Sequence, residues 1–251
     1  MARLKLIKED LYIKHGKGYR LNQNYYYNQS QLDKCIETYE SALSDFTSVS
    51  AFRVDLSIKA ETRAAYDPED NVITKLITAL KARTYKVNHQ DGSTSRRQYP
   101  FKYVWKKENG TTKGTHFHIM FFFSLRDINK VMIDKSKVYC AIKAIWNTVN
   151  KGHGVTQLIT HRESSNEQIK YEYVAKPTQK DSASHYFDML FSESSTNKHK
   201  LNPWVVIRNN TTNRMSFMHW LSYLAKHSNA GTAEQIQKTN SIRNFGAGVK
   251  K

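Results

Sequence analysis

The stretch Gly114-Thr115-His116-Phe117-His118-Ile119-Met120-Phe121-Phe122-Phe123 constrains the fold more than any other part of the chain. Two histidines one residue apart open a run of bulky apolar side chains, which reads as a β-strand. On a strand, side chains i and i+2 point to one face. His116 and His118 therefore project together, while Phe117 and Ile119 face the other way, into a core. Two imidazoles held on a sheet form half a site for a divalent metal. The plainer alternative is a histidine pair on the solvated face of a half-buried strand.

Charge narrows the partners. The 251 residues carry 39 lysines and arginines against 22 acids, a net charge of +17. That excess suits a polyanion, and nucleic acid is the usual one. Ribosome association is a second reading of the same charge. A membrane surface would also attract it, but no basic amphipathic helix with a continuous apolar face is evident, so no membrane partner is expected. The longest apolar runs are too short to span a bilayer. The N-terminal residues Met1 to Asp10 are too charged for a signal peptide. Cys35 and Cys140 form neither a paired metal motif nor a disulfide framework, which fits a reducing cytoplasm.

Along the chain, strands and helices are mixed. Residues 1–30 are polar and aromatic, ending in Tyr25-Tyr26-Tyr27, and read as an arm packed on the core or stacked on bases. Leu32, Cys35, Ile36, Tyr39 and Leu43 share one helical face. Phe52 to Ile58 alternates strictly, as a half-buried strand does. A helix after Asp67-Pro68 carries Val72, Ile73, Leu76, Ile77 and Leu80. Residues 86–98 have loop chemistry with positive charge. Phe101 to Trp105 resumes a strand, and Glu108-Asn109-Gly110 through Gly114 turns into the histidine strand. A helix after Asp127 runs to about Val149, with Ala141, Ile142, Ile145 and Trp146 on one face, and Gly152-His153-Gly154 breaks it. Val155 to Thr160 is a strand, and a helix capped at Ser164 or Ser165 carries Ile169 and Tyr173. Pro203 to Ile207 is a short edge strand or packed loop. Phe217, Trp220, Leu221 and Leu224 stripe a further helix, and the tail from Ala230 is weakly patterned. The placed strands look antiparallel, so the fold class is α+β. Residues 1–45 form an arm and helix packed on a domain spanning 46–251, the two making one unit.

A carboxylate beside the histidines completes a three-ligand site. Glu108, eight residues before His116 across the turn, can approach the pair; an exposed turn glutamate is the alternative. Two imidazoles and one carboxylate with open positions accept Mg²⁺ or Mn²⁺ when a substrate supplies phosphate oxygens, and zinc also binds such ligands. Two Tyr-x-x-Lys elements follow: Tyr173-Val174-Ala175-Lys176 and Tyr223-Leu224-Ala225-Lys226. A tyrosine hydroxyl is a weak nucleophile near neutral pH, and a lysine or metal beside it favours the phenolate. Lys176 precedes Pro177, which pushes it away from helical geometry. Tyr223 and Lys226 instead share a helical face with His219, away from the apolar stripe. Tyr223 is therefore the favoured nucleophile, and Tyr173 the alternative. The basic residues Arg96, Arg97, Lys106 and Lys107 are candidates to hold a DNA backbone.

Taken together, the Asp55 strand, His116-Phe117-His118 and a later Tyr-x-x-Lys element resemble the HUH endonucleases, where U is a hydrophobic residue. Phe52-Arg53-Val54-Asp55-Leu56, Trp105-Lys106-Lys107-Glu108, Gly114-Thr115-His116-Phe117-His118, Ser222-Tyr223-Leu224-Ala225-Lys226 and Arg243-Asn244-Phe245-Gly246 are similar to the inovirus (filamentous phage gene II type) replication initiator family. The resemblance implies a central antiparallel sheet flanked by helices and carrying a divalent metal, Mg²⁺ or Mn²⁺, on His116 and His118. It implies Tyr223 as nucleophile, assisted by Lys226, in nicking and rejoining DNA through a 5′-phosphotyrosine. The expected role is initiation of rolling-circle replication of a phage, prophage element or plasmid in a bacterial cytoplasm. Its partners would be single-stranded or supercoiled origin DNA and a host helicase and polymerase, because no helicase segment or nucleotide-binding loop is seen. A mobilisation relaxase, a two-histidine transposase and a non-catalytic nucleic-acid-binding repressor are the alternatives.

Overall fold

The computed structural model describes residues 5–21, 25–65, 68, 71–110, 114–125, 128, 136–159, 204–207, 214, 217–218, 220–227 and 244–248. In chain order these form β1 (Leu6–Ile7), β2 (Leu11–Lys14), β3 (Lys17–Arg20), β4 (Tyr27–Asn28), α1 (Gln29–Asp45) and β5 (Ser48–Ile58). Then come α2 (Val72–Ala82), β6 (Thr84–Asn88), β7 (Thr94–Gln98), β8 (Phe101–Gly110) and β9 (Gly114–Ser124). The remainder are α3 (Lys137–Val149), β10 (Gly154–Ile159), β11 (Trp204–Ile207) and β12 (Phe245–Ala247). The fold is α+β. Its main sheet is antiparallel, in the order β10-β5-β9-β8-β12, with β11 pairing the first part of β5.

The histidine strand β9 lies at the centre of this sheet, between β5 and β8. Its odd-numbered residues Phe117, Ile119, Phe121 and Phe123 pack with Phe52, Val54, Leu56 and Ile58 of β5 against the apolar faces of α2 and α3. The Trp146 indole donates to the Ser57 carbonyl at 2.9 Å and fastens α3 to the strand. The opposite face belongs to α1. Asn28 accepts from the Gln31 backbone N–H to cap it. Leu32, Cys35, Ile36, Tyr39 and Leu43 then pack on Val49, Ala51, Val104, Met120 and Phe122.

Helices on both faces change the reading of β5. Its alternation implies a half-buried strand, but Val49 and Ala51 are as buried as Val54 and Leu56. Small and aliphatic residues on the α1 side supply the second apolar face. The third helix starts at Lys137, where Ser136 accepts from the Tyr139 N–H as its cap; the expected start just after Asp127 lies outside the described residues. The expected helix around Ile169 and Tyr173 lies outside the described residues.

Two segments without clear periodicity turn out to be strands. Residues 86–98, expected as loop, belong to a two-stranded ribbon in which β6 and β7 pair from Thr84↔Gln98 to Asn88↔Thr94. One face of the ribbon is anchored: Tyr85 stacks on Tyr99 at 4.4 Å, and Tyr99 meets Phe123 edge-on at 6.4 Å. The other face has nothing apolar to bury, so the usual alternation is missing. At the N-terminus, the arm contains a hairpin of β2 and β3. Tyr12 donates to Asp33, Lys14 to Glu37 and Lys17 to Glu40, which ties the hairpin to α1.

In the weakly patterned tail, Phe245-Gly246-Ala247 closes the edge of the sheet as β12 against Lys106, Trp105 and Val104 of β8. Gly246 lies over the Trp105 indole, where an added Cβ would sit 2.4 Å from Nε1 and 2.8 Å from Cε2. Because Trp105 is buried, it cannot swing clear. Gly246→Ala is therefore expected to destabilise the protein by about 1–3 kcal/mol through overpacking. A lowered thermal midpoint checks this; an unchanged midpoint would mean β12 can lift off without cost.

Candidate metal centre and tyrosine

The site is built on cross-strand register. Asp55 of β5 stands opposite His118 of β9, and His118 stands opposite Lys106 of β8. One step along the same face, His116 stands opposite Glu108. Directly opposed side chains lie on one face of a sheet, so Asp55, His116, His118, Lys106 and Glu108 converge. Glu108 is not a turn residue as expected: β8 runs on to Gly110. The strand holds the carboxylate more firmly than a turn would.

The three candidate ligands meet at one carboxylate oxygen. Glu108 Oε2 lies 3.2 Å from His118 Nε2 and 3.6 Å from His116 Nε2. All three ligand atoms fall within 4.8 Å of one another, so this group could hold a metal ion. Ligand atoms about 2.0–2.2 Å from one ion sit roughly 3–3.6 Å apart in tetrahedral or octahedral geometry, so the two spacings to Glu108 fit.

Hydrogen bonds behind the rings set the right tautomers. His116 Nδ1 is 2.9 Å from the Gly114 carbonyl, which can only accept, so Nδ1 carries a proton; in the neutral ring Nε2 is then the lone-pair atom a metal would take, and in the protonated ring Nε2–H points at Glu108. His118 Nδ1 is 2.8 Å from both Asp55 Oδ1 and Arg53 Nη2, which make opposite demands on it. The carboxylate needs a proton between them, whereas the guanidinium cannot accept one. Arg53 is already committed to Asp55 through Nε–Oδ1 at 2.8 Å and Nη2–Oδ2 at 2.9 Å. The Nδ1–H···Asp55 tautomer therefore prevails, and His118 Nε2 also faces Glu108.

The charges balance one another. Burial pushes the Glu108 carboxyl up, but hydrogen bonds from His116 and His118 and the Lys106 charge outweigh it and hold the group far below the usual carboxylate range. Burial likewise opposes ionisation of Asp55, and His118 and Arg53 more than offset it. His116 is pushed above the ordinary histidine value by its hydrogen bond to Glu108, against the opposing effect of burial. Desolvation lowers Lys106, even though Glu108 stands 3.2 Å from its Nζ.

Tyr223 is delivered to the same place. Helical residues ending at Trp220-Leu221 tighten into a 3-10 turn over Ser222–Ala225, and Lys226 leaves in an extended conformation. The Lys226 N–H closes that turn on the Tyr223 carbonyl at 3.2 Å, so the two residues are one 3-10 turn apart rather than on a continuing α-helix. Lys226 Nζ folds back to donate to the Tyr223 hydroxyl and lies 3.7 Å from the ring centroid. The Tyr223 ring is 6.2 Å from the His118 ring, and the Arg53 guanidinium carbon is 4.9 Å from the Tyr223 centroid. Desolvation lowers the Lys226 pKa, with Glu108 opposing that shift.

The basic candidates separate. Lys106 is only 6 % exposed and donates to the Lys226 carbonyl, so it supports the site from beneath. Lys107 stands opposite Phe117, on the other face of the sheet. Arg96 and Arg97 are exposed on β7. Tyr173 and Lys176 lie outside the described residues, as does His219. Arg53 and Asp55 join the site although composition and spacing alone assign them no role; the available signal was two charges, two residues apart, inside an otherwise apolar strand.

A central antiparallel sheet bearing a carboxylate–imidazole group beside a lysine-contacted tyrosine defines the class of site. The chain belongs to the family of the YagK/YfjJ C-terminal domain, whose model matches residues 10–202. That span contains Asp55, Glu108, His116, His118 and Tyr173. No curated protein and no solved structure matches the chain. Among the described residues, no helix is long and apolar enough to cross a membrane.

Two outcomes follow for metal binding. A metal needs neutral His116, whose metal-free pKa is raised; protons therefore compete from above the ordinary histidine value of about 6.5. Mn²⁺ affinity measured by calorimetry should be level above that raised pKa and fall about tenfold per pH unit below it. A pH-independent affinity would remove His116 from the ligand set. Asp55→Asn keeps the shape but weakens the hold on His118 Nδ1–H, and should reduce Mn²⁺ affinity about 10–100-fold. Affinity equal to that of the unaltered protein would show that Asp55 does not orient the ligand.

Proposed function

We propose that the protein is a metal-dependent DNA nicking and joining enzyme of the HUH type, most like the inovirus replication initiators, and that it starts rolling-circle replication of a phage, prophage element or plasmid. The observation that carries this reading is the position of Tyr223. Its hydroxyl is bonded to Lys226, and its ring lies beside His118 of the three-ligand group. A tyrosine and a cation site on one face can act on the same phosphodiester.

The bound ion, Mg²⁺ or Mn²⁺, would polarise the scissile phosphate and offset its charge. Glu108, His116 and His118 would hold it, with Asp55 and the Gly114 carbonyl keeping both histidines in the ligand tautomer. The Tyr223 oxygen attacks phosphorus in line: the O–P bond to tyrosine forms as the P–O3′ bond breaks. The chain remains attached to the 5′ end, and the other fragment leaves as a 3′-hydroxyl after gaining a proton. Burial lowers the Lys226 pKa, making its neutral amine more accessible as an acceptor for the phenolic proton. Arg53, over the Tyr223 ring, favours the developing phenolate. Rejoining is the reverse attack by a 3′-hydroxyl on the phosphotyrosine.

A denaturing gel for covalent protein–DNA adducts tests this, using supercoiled and single-stranded DNA carrying the element's own intergenic region with Mn²⁺ or Mg²⁺. The unaltered chain should form an adduct, and Tyr223→Phe should abolish it. Loss with Tyr173→Phe alone would keep the chemistry and move the nucleophile. No adduct from folded, metal-loaded protein would leave a binding-only repressor, while adducts without circular rejoined product would favour a simple nickase.

A further inference from the structure

The β6–β7 ribbon stands outside the main sheet and takes no part in the metal and tyrosine site. Its register puts Thr84, Lys86, Arg96, Gln98 and Thr94 on one face, opposite the face where Tyr85 is anchored by Tyr99. Lys86 and Arg96 are a directly opposed pair, and both are exposed. Two cations placed opposite each other repel and destabilise a strand pair. Neither strand contains an acidic residue, and no described carboxylate is ion-paired with Lys86 or Arg96. The acid at the tip, Asp91, is turned back onto Ser93, accepting from its backbone N–H at 2.9 Å and its hydroxyl at 2.6 Å. The face is therefore uniformly positive, rich in donors, and unneutralised by its own residues.

We infer that the outer face of the Thr84–Gln98 ribbon is a binding element for duplex DNA, seated in the major groove beside the strand to be nicked. A two-stranded ribbon fits the major groove of B-form DNA, about 12 Å wide. It does not fit the deep, narrow major groove of an RNA helix. Paired strands lie about 4.8 Å apart, and a five-residue ribbon is about 17 Å long, enough to follow several base pairs. Arg96 and Lys86 match the paired acceptors of guanine, and Gln98 those of adenine, with the threonines able to meet phosphate or base edges.

The position on β8 adds the substrate's layout. Only Tyr99-Pro100 separates β7 from Phe101, the end of β8 opposite to Glu108. Phe101 and Glu108 are about 24 Å apart along an extended strand. At ~3.4 Å per base-pair step, duplex held by the ribbon lies at least about seven steps from the phosphate at Tyr223, since the ribbon's anchor Phe123 is on the opposite face of the sheet from His118. The DNA bound would be a junction: paired at the ribbon and single-stranded at the tyrosine. This deepens the nicking proposal by naming the form of its substrate, and rests on that reading only for the identity of the nucleic acid.

The test measures binding without chemistry. The full chain with Tyr223→Phe, in EDTA, is titrated by fluorescence anisotropy against three probes. They are a mixed-sequence DNA duplex of about two helical turns with a 3′ single-stranded tail, a DNA single strand of the same length, and an RNA duplex with the same tail. Lys86→Ala with Arg96→Ala should weaken binding to the tailed DNA duplex at least about tenfold and reduce its log–log salt slope by about two. Binding to the single strand should change by less than about twofold, since that strand is held at the sheet. Lys34→Ala with Lys143→Ala removes the same charge elsewhere and should leave duplex affinity within about twofold. Equal losses on duplex and single strand, no loss on duplex, an equal loss on the RNA duplex, or an equal effect of the control pair would each overturn the assignment. A failed nicking assay with the duplex-selective loss intact would remove the chemistry and keep the ribbon; the reverse pattern would remove only the ribbon.

Discussion

The pairing register of β5, β9 and β8 is the constraint on which the site depends. Side chains repeat every two residues on a strand, so slipping β9 by one residue would send His116 and His118 into the helix-covered core and expose Phe117 and Ile119. The apolar run therefore does two things at once. Phe117, Ile119, Phe121 and Phe123 fix the register by burial against α2 and α3, and that register aligns Asp55, His118 and Lys106 across three strands. The metal group is placed by the hydrophobic effect rather than by its own attractions.

Those attractions still decide whether the site can remain buried. Charges run in alternation across the sheet: Arg53, Asp55, the imidazoles, Glu108 and Lys106. An isolated buried carboxylate is costly, and each acid here lies against cationic or protonated neighbours. The same chain of contacts explains why Lys106 is conspicuous in the sequence as a DNA-binding candidate yet lies beneath the site. Its ammonium stands 3.2 Å from Glu108 Oε1, and it also donates to the Lys226 carbonyl. Lys106 thus links the carboxylate that could hold metal to the loop bearing the lysine partner of Tyr223. Binding a cation at Glu108 would shift the electrostatics at both ends of that link.

Much of this was legible in the residues because burial and periodicity write it there. The His-x-His pair on a strand, the apolar stripes of α1 and α2 and the Phe52–Ile58 alternation all emerge in the expected places. What was not legible has two physical causes. The ribbon at 84–98 and β12 bury so little on one face that they carry no period-two pattern, and backbone pairing leaves no trace in composition. Arg53 and Asp55 stand in a stretch that carries the family resemblance, yet the resemblance assigned them no role, for a different reason. Their role comes from partners 65 and 63 residues later on another strand, through the Arg53–His118 and Asp55–His118 contacts. At Lys226 a 3-10 turn replaces the expected α-helix, but with three residues per turn it keeps the Tyr-x-x-Lys spacing and the lysine still meets the tyrosine.

The placement of Tyr223 also depends on the far end of the chain. Tyr27 pairs with Lys226 in an isolated antiparallel bridge, and the His227 N–H donates to the Tyr26 carbonyl at 2.6 Å. The Tyr25 ring meets Tyr223 edge-on with centroids 5.9 Å apart, and Lys226 Nζ lies 5.7 Å from the Tyr25 centroid. Tyr27 is fully buried in the α1-side core, so this contact has a rigid base. A 3-10 turn alone is a short and poorly bonded element, too weak to hold a phenol in one position. The Tyr25-Tyr26-Tyr27 run, which reads as an arm for packing or for stacking on bases, here acts as a clamp. It joins the first strand-and-helix segment to Tyr223, so residues 1–45 contribute to the geometry of the site as well as to the core beneath it.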